Sequence, residues 1–158
     1  FLGNFIYWDP YKQTEIVKKL YNWEEAREPF ERTYRKISNL DDMHENGIHD
    51  YMKFIKFGYG RATDHTSKDI RSGYMTREKG IEKVKQYDHV KSRKDLDRWL
   101  KYVNMSERKF DEIADSFRDP RVWSIVDEEW YKMDVTGEYT SYGRVYLPKD
   151  KRSKYIKK

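Results

Sequence analysis

Apolar residues recur at helical spacing through the first two thirds of the chain and lose that spacing after Pro120. Ile48, Tyr51, Met52 and Ile55 stand at i, i+3, i+4 and i+7, the stripe of an amphipathic helix that Gly58 and Gly60 would end. Ile81, Val84 and Tyr87 form a second stripe, capped by Thr76. Leu96, Trp99, Leu100 and Val103 form a third behind Ser92 and Asp95, which have the spacing of a capping box. Phe110, Ile113, Ala114 and Phe117 follow Ser106 and stop at Asp119-Pro120. These last two helices, joined through Asn104-Met105, predict a helical hairpin. Near the start, Asp9 as N-cap and Pro10 at the first helical position open a helix whose Ile16, Val17 and Leu20 share a face up to about Trp23. Phe1 to Trp8 reads as a short strand, and Glu24 to Asp42 as irregular chain with helical turns.

One predicted helix departs from this pattern. Between Thr63, its expected cap, and Gly73 there is almost no apolar face. A helix that is polar all round gains little from packing, so it needs a ligand or a bridging role. After Pro120, Trp123, Trp130, Tyr131, Tyr139, Tyr142, Tyr146 and Tyr155 are scattered through polar sequence, and Gly143 would turn a small hairpin from Glu138 to Leu147. The expected fold is mainly α, with five to six helices, a short N-terminal strand and a C-terminal hairpin or irregular aromatic segment. Residues 1–130 form the predicted helical body and 131–158 a polar extension rich in Tyr and Lys.

Composition changes this picture in two places. Charged residues are 39% of the 158, as in disordered chains, but aromatics at 16% supply the burial that such chains lack. The net charge of +5 lies in the last ten residues, which hold six basic groups and one acid; the remainder balances at 27 against 27. A neutral body with a basic, solvated tail argues against a nucleic-acid-binding face, which needs clustered charge on a folded surface. The absence of cysteine excludes disulfides, thiolate metal sites and a cysteine nucleophile. No apolar run approaches the roughly 20 residues of a membrane span, so a cytoplasmic location is expected. The start at Phe-Leu-Gly points to a piece of a longer protein.

Candidate chemistry centres on the polar helix. Gly58-Tyr59-Gly60 before a helix start suggests an anion site, because free N–H groups and the helix dipole both face an incoming phosphate or carboxylate. The dinucleotide fingerprint fails, since Thr63 stands where its third glycine belongs. Asp64, Lys68 and Arg71 share one face, with Arg61 beside the helix start. The plainer alternative is an Asp64–Lys68 salt bridge on a solvated face. His65, or His49 with Asp50, could act as acid or base, although lone histidines are more often structural. His44-Glu45 with His49 resembles a zinc motif, but the i,i+5 spacing sets the rings roughly 140° apart, so no metal site is expected. There is no nucleophile elbow and no phosphate-binding P-loop.

The strings Arg35 to Tyr51, Lys56 to Arg71, Gly73 to Glu78, Tyr87-Asp88 and Phe117 to Trp123 resemble the C-terminal half of the N-acetyl sugar amidotransferases, grouped with the PP-loop ATP pyrophosphatases. The resemblance implies a role in lipopolysaccharide O-antigen or flagellin-glycan synthesis. Such enzymes activate the acetamido group of a nucleotide-linked sugar with ATP and replace its oxygen with ammonia, giving an acetamidino group. It also implies an N-terminal PP-loop domain, glutaminase and cyclase-like partners that supply ammonia, and ATP with Mg for the full-length enzyme. The family's Ser-Gly-Gly-x-Asp-Ser loop and cysteine pairs are absent here, so no cofactor is expected in this chain and it should not turn over alone. Within that activity, Arg61, Lys68 and Arg71 are the candidates for holding phosphate or pyrophosphate, with Lys56 and Arg77 in reserve. Asp64 and His65 are the candidates for proton transfer or substrate orientation. The alternative is a non-catalytic module that docks the ATPase domain to its glutaminase partner.

Overall fold

The computed structural model describes residues 1–37 and 46–156. Among the described residues, six α-helices are followed by a small antiparallel sheet: α1 (Pro10–Tyr21), α2 (Asn46–Phe57), α3 (Arg61–Arg71), α4 (Arg77–Tyr87), α5 (Arg93–Val103), α6 (Glu107–Ser116), then β1 (Ser124–Val126), β2 (Glu129–Met133) and β3 (Tyr139–Arg144) in the order β1-β2-β3. The chain is mainly α, as its periodicity predicts. Short 3₁₀ turns at Lys149–Lys151 and Ser153–Tyr155 close it.

The middle helix, α2, is buried on two sides. Ile48, Tyr51 and Met52 pack against Leu96 of α5 and Phe110 and Ala114 of α6. Trp99 meets Phe110 edge-on at 5.6 Å, joining the two helices of the predicted hairpin. On its other side Phe54 enters a second core with Trp123, Trp130, Val145, Leu147 and Tyr155. The scattered aromatics of the C-terminal third thus cover α2. The Trp123 indole donates to the Ile55 carbonyl at 2.7 Å, and the Tyr155 hydroxyl donates to the Arg118 carbonyl at 2.7 Å. The 130/131 division falls inside β2, and residues from both sides of it share this core.

Several local signals act as expected. Asp9 accepts from the Tyr11 and Lys12 amides, Thr76 from Lys79 and Ser106 from Lys109. Others differ for physical reasons. The N-terminal segment contains a 3₁₀ turn at Leu2–Asn4 instead of a strand, and Phe5, Tyr7 and Trp8 are exposed, with no neighbouring strand to complete a ladder. No helix forms within 24–37; residues 38–42 and the His44-Glu45 pair lie outside the described residues. Ser92 starts α5 without a side-chain cap, because Asp95 turns away and accepts the Gly47 amide of α2 at 2.9 Å. The β1–β2 turn uses Asp127 and Glu128, both at positive φ. Gly143, expected in a turn, lies inside β3 at φ 97°, where the register against β2 shifts between Glu129 and Tyr131. Tyr142 and Gly143 together oppose Trp130, a bulge of the kind that re-aims a side chain. The basic tail is tied down as far as Tyr155: Arg152 donates to the Leu147 carbonyl and pairs with Glu128.

Candidate functional site

The polar helix α3 is a hub of internal ion pairs. Its start is capped from α4: the Asp88 carboxylate accepts the Gly60 amide at 2.8 Å, the Thr63 amide at 2.9 Å and the Thr63 hydroxyl at 2.5 Å. Thr63 is therefore a partner of the cap and Gly60 the N-cap residue. The anion that the glycine bend and helix dipole favour is present, and it is a side chain of this chain. Further along α3, the buried Asp69 takes the hydroxyl of Tyr11 at 2.9 Å, the hydroxyl of Tyr34 and the guanidinium of Arg35. Burial, then the Asp69 contact, pushes the Tyr11 hydroxyl up to about 12.

The seven residues predicted for the site separate. Arg61 donates to Asp50 at 2.7 and 3.0 Å and lies 3.6 Å from Asp64, which also pairs with Lys53. Asp50, 1% exposed, takes Arg32 as well at 2.5 Å. His65 is 8% exposed, with Nδ1 2.7 Å from the Thr33 hydroxyl. Burial foremost, then the cations Arg35, Arg61, Lys68 and Arg32, holds its pKa down at about 3. The ring is thus uncharged near neutrality, and a base of such low pKa takes up protons weakly there. Lys56, Lys68, Arg71 and Arg77 are exposed, and among the described residues none pairs with a carboxylate; Lys56 lies 5.4 Å over the Phe117 ring. The predicted Asp64–Lys68 bridge does not form, because Lys53 and Arg61 hold Asp64. His49 lies 3.3 Å from Asp50, and the described residues hold no cluster of three metal-ligating groups.

A different constellation lines a cleft of 660 Å³ between the C-terminal end of α2, the start of α3, α4 and the β2–β3 hairpin. That volume is within the roughly 300–1,000 Å³ of small-molecule sites. Its walls include the rings of Phe54, Tyr59 and Tyr142, and its charged groups are Lys85, Arg118 and Lys132 with Asp88, Asp134 and Glu138. None of the seven predicted residues lines it. Lys132 is 6% exposed; its ammonium donates to the Met133 carbonyl at 2.7 Å and lies 4.9 Å over the Tyr142 ring. Burial pulls its pKa below the ordinary lysine value, with Asp88 and Asp134 partly opposing. The 5%-exposed Arg118 lies 4.0 Å over the Trp123 ring and donates through Nε to Asp115 at 3.0 Å, while its Nη1 has no partner among the described residues. Burial likewise lowers its pKa, against the pull of Asp115. Perturbed ionisable groups in an aromatic cleft are a mark of functional sites.

The spacing of charges along α3 could not point to this cleft, since its members come from α2, α4, the segment after α6 and the sheet. One signal was present: in Trp130-Tyr131-Lys132, alternation puts the lysine on the same buried face as the tryptophan.

Fold and cleft together define a helical domain with a ligand-sized site walled by a small sheet. The family model described as "LPS biosynthesis protein WbpG-like, C-terminal domain" matches residues 15–135. The chain belongs to this family, and with it to lipopolysaccharide biosynthesis. No curated protein sequence matches it. The matched span takes in Phe54, Arg118 and Lys132, whereas Tyr142 lies beyond it. Among the described residues, no helix is long and apolar enough to cross a membrane.

Proposed function

We propose that this chain is the substrate-side domain of an ATP-dependent N-acetyl sugar amidotransferase acting in surface-polysaccharide synthesis. The acetamido oxygen attacks the α-phosphorus of ATP and expels pyrophosphate, and ammonia then adds at the amide carbon, loses a proton and displaces that oxygen as AMP to give an acetamidino group. An N-terminal PP-loop domain supplies the ATP site with Mg, and glutaminase and cyclase-like subunits supply ammonia. The observation that carries the reading is the cleft: the aromatic rings of Tyr59 and Tyr142 suit the apolar face of a sugar ring, beside buried cations. Family membership supports the pathway and the resemblance supports the chemistry. The exposed Lys68, Arg71, Arg77 and Lys56 are then surface cations available to phosphate or pyrophosphate at a domain junction, while Arg61, Asp64 and His65 hold α3 in place. Calorimetric titration with UDP-N-acetylglucosamine tests the reading. Saturable binding that Tyr142→Ala abolishes is the expected result, and a flat titration of the wild-type chain would reject it.

One observation favours the docking reading. α1 buries no residue, and Ile16, Val17 and Leu20 are exposed together with Phe5, Tyr7 and Trp8. Exposed apolar surface of this kind marks contact sites. A module that only docks would bind its partner normally while showing no heat with the nucleotide sugar.

A further inference from the structure

The charge on Lys132 feels Asp88 and Asp134 only from beyond ion-pair distance. No carboxylate lies within ion-pair distance among the described residues, and of three N–H donors one is used, on the Met133 carbonyl. The acids of the cleft wall are committed: Asp88 to the start of α3, Asp134 to Lys85 at 3.1 Å and to the Thr136 and Glu138 amides, and Glu138 to Lys85 at 3.5 Å. The rings of Tyr142 at 4.9 Å and Phe54 at 5.6 Å attract the ammonium. Such contacts offset only part of the cost of withdrawing an ion from water. A purely structural lysine would lay its stem on the core and send its ammonium to solvent. The stem does pack near Gly58, where a Cβ would meet its Cδ at 3.3 Å, but the side chain as a whole is 6% exposed. Arg118, on the same cleft, has an unpartnered Nη1.

We propose that Lys132 is the anion-binding residue of the cleft, receiving a carboxylate or phosphate oxygen of the ligand beside the Tyr142 ring. The inference rests on the cleft being the ligand site, and it adds the chemical group that the ligand must carry there. Titration of the purified chain with inorganic phosphate and, separately, with acetate tests it against Lys132→Met, Lys132→Gln and Lys132→Arg. Wild type should bind at least one anion saturably, phosphate pointing to the diphosphate and acetate to a carboxylate on the sugar. Lys132→Met should weaken that binding at least tenfold and Lys132→Arg should retain it, while thermal melting of Lys132→Met stays at or above wild type. Lys132→Gln serves the same purpose if the methionine variant does not fold. Anion binding that survives loss of the charge, while Tyr142→Ala abolishes nucleotide-sugar binding, overturns the role of Lys132 and leaves the cleft as the site. A wild-type chain that binds neither anion nor UDP-N-acetylglucosamine overturns both.

Discussion

Two parts of the molecule bury cations, and they do so in opposite ways. Around α3, Arg32 and Arg61 share Asp50, Arg35 meets Asp69, and Lys53 meets Asp64, so every one of these positive groups lies against a carboxylate. In the cleft, Arg118 pairs with Asp115, but Lys132 has no carboxylate within ion-pair distance among the described residues. A buried pair that is neutral and hydrogen-bonded joins helices and loops, and little charge is left over for a ligand. An uncompensated cation in a cavity is the arrangement that a ligand can improve. The polar helix exists because it bridges: it ties α1, the 32–35 segment, α2 and α4 together.

This contrast can be broken most forcefully at Asp50. Asp50→Ala leaves Arg32 and Arg61 without their shared carboxylate and should cost about 3–5 kcal/mol in urea unfolding. A loss below 1 kcal/mol would show that the pairs around α3 are incidental.

The second largest effect should come from acid. The His65 pKa is about 3 folded and near 6.5 unfolded, so between these values the unfolded state binds the extra proton and stability falls as pH drops. The slope is about 1.4 kcal/mol per pH unit, hence about 2 kcal/mol between pH 6.5 and 5. Wild type and His65→Gln, compared by chemical denaturation at both pH values, should differ by that amount, and parallel curves would contradict it.

Lys132→Met should leave the unfolding free energy unchanged or raise it by about 1 kcal/mol, because an unpaired buried cation contributes little that an apolar isostere lacks. A loss comparable to that of Asp50→Ala would erase the distinction between the regions. The smallest change belongs to Lys68→Ala and Arg71→Ala, exposed and without carboxylate partners, each within about 0.5 kcal/mol.

Much of the architecture was legible because helices announce themselves locally. The stripes at Ile48–Ile55, Leu96–Val103 and Phe110–Phe117 and the caps at Asp9, Thr76 and Ser106 depend on neighbours within a few residues. The misreadings share one cause. Thr63 looked like a cap because nothing nearby reveals that Asp88, twenty-five residues on, would fill that role. Gly143 looked like a turn, but strand pairing uses its positive φ for a bulge. Phe1 to Trp8 has strand composition without a strand to pair with. The candidate site suffered in the same way: charge was visible at Arg61 and Asp64, and its neutralisation by Asp50 and Lys53 was not.

The sequence by itself determined a mainly helical chain, the places where most helices begin, its kinship with the WbpG-like lipopolysaccharide-biosynthesis family and the polar character of α3. Those properties follow from periodicity, capping and residue identity, which act over one or two turns. Tertiary structure alone decided which charges cancel and which stay open, since that depends on separations between groups far apart in the chain. It placed Asp88 against the start of α3 and Lys132 among aromatic rings with no carboxylate at ion-pair distance, leaving the open cation in the cleft beside the helix.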